Sequence, residues 1–350
     1  MKSVDYRSAP LLLIWEVTRA CALACQHCRA SAEDVRDSRE LTLDQGRKLI
    51  DQVADLGTPL LVFTGGDPLQ RDDLEDLIRH GRSRDLTVAT IPAATPRLTR
   101  ERIFSLRDAG VQQLALSLDG ESAAKHDDFR RVEGTFDKVM EGARWIREAG
   151  IPLQINTVFG AWNFDDFDAL AETVAGLGAV FWEVFFLVPT GRGSSLQSCS
   201  PEQFEALFRK IHELAKTAKF HIKVTEGQHY RRYFLQNEGQ AHVVSPQTGH
   251  RPVAAKPVNA GNGFCFVDFK GDVYPSGFLP VECGNVKTVP LAQIYQRHPV
   301  FLELRDLTNL KGKCRTCQYL DFCSGGSRAR AYGLTGDYNA SEAFCTFEPA

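Results

Sequence analysis

The stretch Leu11-Leu-Leu-Ile-Trp-Glu-Val-Thr-Arg-Ala-Cys21-Ala-Leu-Ala-Cys25-Gln-His-Cys28 joins a short apolar run to three closely spaced cysteines. The run reads as a buried strand, and it delivers the cysteines on the loop that follows. Soft thiolates are the usual ligands of iron–sulfur clusters, and a four-iron cubane wants four of them. Three from one tight loop leave one iron open for a substrate or cofactor. A zinc site would instead show two pairs of ligands closing a tetrahedron, and no second pair lies nearby. The remaining alternatives are a buried apolar cluster of thiols or a disulfide fragment, although unpaired cysteines rarely recur at ligand spacing.

Composition narrows the class. The chain has 350 residues, 43% of them hydrophobic, which suffices for one large domain plus a small one. A formal net charge of -3 and the lack of any block of like charge give no field for nucleic acid. The apolar run Leu11–Trp15 is too short for a membrane helix and lacks a cleavage-type site, so a cytoplasmic protein is expected. Without an export signal, ten cysteines gathered towards the two ends favour metal or redox chemistry over disulfides.

From Leu11 to about Thr225, apolar β-rich runs alternate with amphipathic helical stretches, which implies an α/β fold of parallel strands covered by helices. The expected strands are 12–17, 60–64, 86–91, 112–118, 152–159 and 180–188. Thr42 with Gln45 reads as a capping box, Leu49, Ile50, Val53 and Leu56 as one helical face, and Gly57 as its end. Leu74, Leu77 and Ile78 with Gly81 mark a second helix, Ile103, Phe104 and Leu106 with Gly110 a third, and Val139, Ala143 and Ile146 with Gly150 another. Six such units make a partial (β/α)6 TIM-like barrel, whose site should lie at the strand C-termini. The Cys21–Cys28 loop and Thr64-Gly-Gly-Asp-Pro68 both fall at that end, and the glycines there let backbone approach a ligand closely. Asn237-Glu-Gly-Gln-Ala-His242 and Ser245–Pro252 form a polar, turn-rich connection. The expected division is therefore 1–225 for the partial barrel, 226–259 for a linker or substrate-covering segment, and 260–350 for a small C-terminal iron–sulfur domain. In that last part, Cys314, Cys317, Cys323 and Cys345 supply four thiolates. Four would close a cubane completely, with a structural zinc site as the alternative.

The spacing of Cys21, Cys25 and Cys28, with the flanking Glu16-Val-Thr-Arg-Ala20 and Arg29-Ala-Ser-Ala32, resembles the signature of the radical S-adenosylmethionine (radical SAM) superfamily. The resemblance implies a [4Fe-4S] cluster whose open iron chelates the amino and carboxylate groups of S-adenosylmethionine. His27 stands where that family usually carries an aromatic ring and is not read as a ligand. Gly65, Gly66, Asp67 and Pro68 stand where the family carries Gly-Gly-Glu-Pro to bind the methionine amino group, with Asp67 a shorter carboxylate. Leu116-Ser-Leu-Asp-Gly120 and Asn156-Thr-Val158 are similar to segments that contact ribose and carboxylate, which implies roles for Ser117, Asp119 and Asn156. The pattern from Cys314 to Cys345 is similar to the auxiliary cluster domain of the SPASM and twitch subgroup. Val258, Ser276 and Ser327 stand where the full pattern would place cysteines, so one auxiliary [4Fe-4S] cluster is expected, and Cys199, Cys265 and Cys283 are read as buried thiols.

The implied activity is reductive cleavage of S-adenosylmethionine to methionine and a 5'-deoxyadenosyl radical, fed by a donor such as flavodoxin or ferredoxin, with hydrogen removal from the substrate. Glu183–Gly193, Gly271–Phe278 and Ser324–Tyr332 with Gly336-Asp337 look closest to radical enzymes of alternative haem and haem d1 biosynthesis, which act on tetrapyrrole propionates. Arg192, Arg231, Arg328 and Arg330 are then candidates to pair with substrate carboxylates, because a guanidinium fork suits them, and Tyr230 is a candidate relay. One alternative is maturation of a ribosomal peptide. Only about twenty residues precede Cys21, too few for a peptide-recognition module, so that substrate would need a partner protein. An alternative of another class is a non-catalytic electron carrier or zinc-stabilised scaffold.

Overall fold

The computed structural model describes residues 4–239 and 257–349. Nine strands form one sheet in the order β7-β6-β5-β4-β3-β2-β1-β8-β9. They are β1 Leu12–Glu16, β2 Leu60–Thr64, β3 Thr87–Thr90, β4 Gln113–Ser117, β5 Leu153–Phe159, β6 Phe181–Phe186, β7 His221–Thr225, β8 Phe264–Val267 and β9 Val273–Tyr274. Every neighbouring pair is parallel except β8 with β9, and the sheet is open rather than closed into a barrel. All six expected strands are present: 60–64 keeps its bounds and the other five are shorter at one or both ends. Of the expected polar connection, Asn237 and Glu238 instead close the helix Tyr230–Glu238, and Ser245–Pro252 lies outside the described residues.

The crossovers carry helices α1 Leu43–Leu56, α2 Leu74–Ser83, α3 Arg100–Ala109, α4 Ala123–Arg130, α5 Thr135–Glu148, α6 Phe167–Gly176, α7 Pro201–Thr217 and α8 Tyr230–Glu238. The start of α1 is the capping box read from sequence: the Gln45 amide donates to Thr42 Oγ1 at 3.3 Å, and the Thr42 amide donates to Gln45 Oε1 at 3.0 Å. Gly57 and Gly110 end α1 and α3 in the left-handed conformation. Gly81 does not end α2; it lies inside the helix, where an added Cβ would come within 2.9 Å of Val88.

The apolar core lies between the helices and the strand face that carries Leu13, Trp15, Leu61 and Phe63, while the opposite face bears Thr64, Ser117 and Asn156. Trp15, Phe63 and Trp182 are fully buried in that core with the α1 stripe Leu49, Ile50 and Val53. It continues into Leu291, Ile294, Tyr295 and Phe301 on the helices Leu291–Arg297 and Pro299–Arg305. The C-terminal segment also enters the sheet directly, since β8 pairs with β1 from Leu12↔Phe264 to Trp15↔Val267. No helix among the described residues is long and apolar enough to cross a membrane.

Candidate active site

Three segments clamp the loop that follows β1. On one side the Gly66 and Asp67 amides donate to the carbonyls of Thr18 and Ala20 at 2.8 and 2.7 Å. A Cβ on Gly65 would fall 2.6 Å from the Thr18 carbonyl oxygen, and one on Gly66 would fall 2.5 Å from that of Arg19. The glycines are therefore needed because the chain packs on itself here. On a second side the amides of Ala24 and Gln26 donate to the carbonyls of Arg130 and Phe129 at the end of α4, at 3.3 and 3.0 Å. On the third, the Arg192 amide donates to the Cys28 carbonyl at 3.0 Å and its Nε to the Cys25 carbonyl at 2.9 Å.

N–H groups also reach the sulfurs. The Leu23 amide donates to Cys21 Sγ at 3.4 Å, the Ala32 amide to Cys28 Sγ at 3.5 Å, and the Arg130 guanidinium to Cys25 Sγ at 3.4 Å. Such donors favour charged sulfur, while the apolar packing of Cys21, Leu23 and Cys25 keeps water away. Burial pushes the Cys21 thiol up to about 12, so a metal binding there must displace its proton. This donor set fits an iron–sulfur cluster. Among the described residues no group of three or more His, Cys, Asp or Glu side chains is placed to hold a single metal ion. A cubane takes its thiolates on separate corners.

A cavity of about 260 Å³ opens beside the loop, lined by all three cysteines, Gly65 and Gly66, Ser117, Asp119 and Asn156. His27, Arg29, Phe185, Phe266 and Phe278 complete much of its wall. Asp67 and Pro68 do not reach it. The Asp67 carboxylate is fully buried and accepts from Thr95 Oγ1 at 2.6 Å and from the amides of Leu69 and Ala93 at 3.1 and 3.3 Å. It ties the turn after β2 to the loop after β3. Asp119 lines the cavity with both carboxylate oxygens engaged: one accepts from the Val158 amide at 2.7 Å, the other from Arg130. Burial alone would raise this carboxyl, but the Arg130 guanidinium holds it below its usual range. The Asn156 side-chain oxygen accepts from Gln154 Nε2 at 2.6 Å. His27 is half-buried and stacks on Phe129 at 4.8 Å, and Phe129 stacks on Trp162 at 5.0 Å. Burial drops its pKa to about 4, so the ring is neutral.

At the other end of the chain Cys314 and Cys345 lie near Cys323, and Cys317 follows Cys314 by one turn, its amide donating to the Cys314 carbonyl at 3.3 Å. Cys314 lies on the short helix Gly312–Arg315, and Cys323 ends the helix Leu320–Cys323. The Glu342 amide donates to Cys314 Sγ at 3.5 Å and Arg232 to Cys345 Sγ at 3.7 Å. Burial raises the Cys323 thiol to about 12, and nearby Cys314 and Cys345 add to that. Ser327 instead caps the helix Arg328–Thr335, accepting from the Arg330 amide at 3.0 Å while donating to the buried Glu226 carboxylate. Cys199, Cys265 and Cys283 are packed in the main core.

None of the four arginines singled out from sequence lines the cavity. Arg330 is fully buried on Glu342 at 2.9 Å, Arg328 donates to the carbonyls of Tyr338 and Ala340, Arg231 donates to that of Phe322, and Arg192 holds the cysteine loop. Tyr230 is packed against Phe208 and Tyr233, away from the cavity wall. Arg29 and Arg130 take the polar positions instead, and sequence reasoning missed both. Only adjacency to Cys28 marked Arg29, and nothing in the local pattern marked Arg130.

An open parallel sheet that gathers three thiols, a glycine turn and polar strand ends around one cavity defines an α/β enzyme with its site at the strand C-termini. The chain belongs to the radical SAM superfamily, which residues 15–174 match. Membership implies S-adenosylmethionine and a [4Fe-4S] cluster. It is 40% identical over 343 residues to the "AdoMet-dependent heme synthase" of Methanosarcina barkeri, covering 98% of both chains. It is 38% identical to the protein of the same name from Nitratidesulfovibrio vulgaris, covering 97% of this chain and 92% of that one. At greater distance, the "PqqA peptide cyclase" of Bradyrhizobium diazoefficiens is 26% identical over 97% of this chain and 87% of its own. Among solved structures, Streptococcus suis SuiB bound to precursor peptide SuiA shares the fold with a TM-score of 0.74 at 17% identity, over 97% of this chain and 76% of that one.

Proposed function

We propose that this radical SAM enzyme oxidises a propionate side chain of a tetrapyrrole. The observation that carries the reading is the near full-length likeness to proteins named AdoMet-dependent heme synthase, which spans both cysteine clusters. In this reading Cys21, Cys25 and Cys28 hold the [4Fe-4S] cluster, and Gly65, Gly66, Ser117 and Asn156 line the space for S-adenosylmethionine. When bound, these two groups supply a 5'-deoxyadenosyl radical able to take a hydrogen atom from an unactivated carbon.

The chain's own residues confine that chemistry. Asp119 acts at one remove, holding Arg130 against Cys25. Asp67 likewise supports the glycine turn from beneath. Phe185, Phe266 and Phe278 give an apolar wall that suits a flat macrocycle and keeps out water and stray hydrogen donors. Loss of a hydrogen atom, of carbon dioxide and of one further electron would turn a propionate into a vinyl group, a two-electron oxidation overall. Cys314, Cys317, Cys323 and Cys345 would hold a fully ligated auxiliary [4Fe-4S] cluster, whose chemistry is one-electron exchange. A flavodoxin or ferredoxin is the natural class of reductant.

Anaerobic reconstitution followed by assay of reductant-dependent 5'-deoxyadenosine tests the first half of the reading, and porphyrin product analysis tests the second. Deoxyadenosine formation stimulated by a propionate-bearing iron porphyrin, with the porphyrin modified, is expected. Peptide modification is the second reading, favoured by the likeness to a PqqA peptide cyclase. Deoxyadenosine formation that responds to a peptide and ignores the porphyrin would establish it instead.

A further inference from the structure

The cavity continues past the cysteine loop. A hollow of about 510 Å³ adjoins it and shares Arg29, Ala30, Phe266 and Gly277 with its wall. The lining of this hollow includes Arg19, Arg29, Arg39 and Lys270 with the carboxylates Glu16 and Asp268, and Glu33 approaches Arg19 at 4.0 Å from beside it. Arg39 is committed to Asp37 at the exposed rim. Arg19 donates to the carbonyl of Ala30 at 2.5 Å.

Arg29 occupies the partition between the two spaces. Its guanidinium lies 4.5 Å over the Phe266 ring and donates to Glu16 at 2.7 Å, the one acceptor it has among the described residues. A guanidinium carries five N–H donors, so most of the fork remains for a ligand. Lys270, on the turn between β8 and β9, also lines the hollow while touching Asp272 at 2.6 Å and Asp268 at 3.6 Å. The buried Ser276 accepts from the Phe278 amide at 3.2 Å, which leaves its O–H to donate, and Tyr274 adds a phenol.

We infer that this groove is a carboxylate-anchoring subsite, in which Arg29 and Lys270 hold substrate propionates remote from the one that reacts in the cysteine-lined cavity. The inference rests on the tetrapyrrole reading above and adds where the substrate is gripped. A molecule with carboxylates spread around a flat apolar ring matches the pairing of an aromatic-walled cavity with a guanidinium fork that keeps most of its donors for a ligand. A planar fork on the shared wall also fixes which edge of the ring faces the cysteines.

The test is titration of the full-length protein with coproporphyrin III and with its methyl ester, followed by porphyrin absorbance, for wild type, Lys270→Gln and Arg29→Lys. Wild type should bind the acid roughly tenfold tighter than the ester, and each variant should weaken acid binding roughly threefold to tenfold while ester binding holds. Unchanged ester binding also certifies that the variants are folded. Equal wild-type affinity for acid and ester, or variants that keep the full preference for the acid, would overturn the subsite and leave the tetrapyrrole reading standing. Failure of wild type to bind either porphyrin would remove that reading, and the subsite with it.

Discussion

Cys25 is the loop thiol that two arginines brace, its sulfur held by Arg130 and its carbonyl by Arg192. Cys25→Ala should abolish 5'-deoxyadenosine formation, whereas Cys323→Ala should retain part of it and lose the product. Equal and total loss in both would mean that the C-terminal thiols serve folding rather than turnover. The same brace carries a pH signature. His126 Nδ1 accepts from the Asp119 amide at 3.2 Å, so the ring is neutral, and burial aided by Arg130 lowers its pKa to about 4. Between about pH 6.5 and 4 the unfolded chain binds a proton there that the folded chain does not. Its contribution to stability is therefore complete above about pH 6.5 and declines as the pH falls through that window, by about 1.4 kcal/mol per pH unit. Urea unfolding of His126→Asn across this range should show a slope shallower than wild type by about that amount. Parallel profiles would mean that the ring is protonated in the fold.

At the scale of elements, the turn after β2 seats the cysteine loop because two side chains are missing. Gly66→Ala would push a methyl group into the carbonyls of Arg19 and Ala20, both needed where they are. Iron content after anaerobic reconstitution should fall to a minor fraction of wild type, with about 1–3 kcal/mol of stability lost to overpacking. Wild-type iron loading in this variant would show that the loop can yield. The strands that frame this turn were legible in the sequence because continuous apolar runs between glycine-capped helices leave few other readings. β7 was not, since His221 and Lys223 on a half-exposed edge break the apolar run. Gly81 misled because a glycine inside a helix and one just beyond it look alike until Val88 is in place against it. The cysteines could be read because ligand spacing is local. Arg29 and Arg130 could not, since their roles depend on what lies across the cavity, and the four arginines that seemed better placed are spent on carbonyls and on Glu342.

At the scale of the molecule, β8 turns the first strand of the sheet into an interior one. Leu13 and Trp15 are fully buried, and the β1 backbone bonds on one side to β2 and on the other to β8. A chain ending at Glu238 would expose that edge and the apolar residues beneath it, so it should aggregate and lose a cooperative thermal transition. Size-exclusion chromatography and a melting curve check this; a monomeric, cooperatively unfolding fragment would show that β8 is dispensable. The pairing also bears on how the protein is made. Strand neighbours so far apart along the chain cannot meet while the nascent polypeptide is still short, so β1 keeps one unpaired edge until the segment that carries β8 has been synthesised. Until then that edge is a template for wrong pairing, and chaperones that shield bare strand edges would have a client for most of the time the polypeptide is being made.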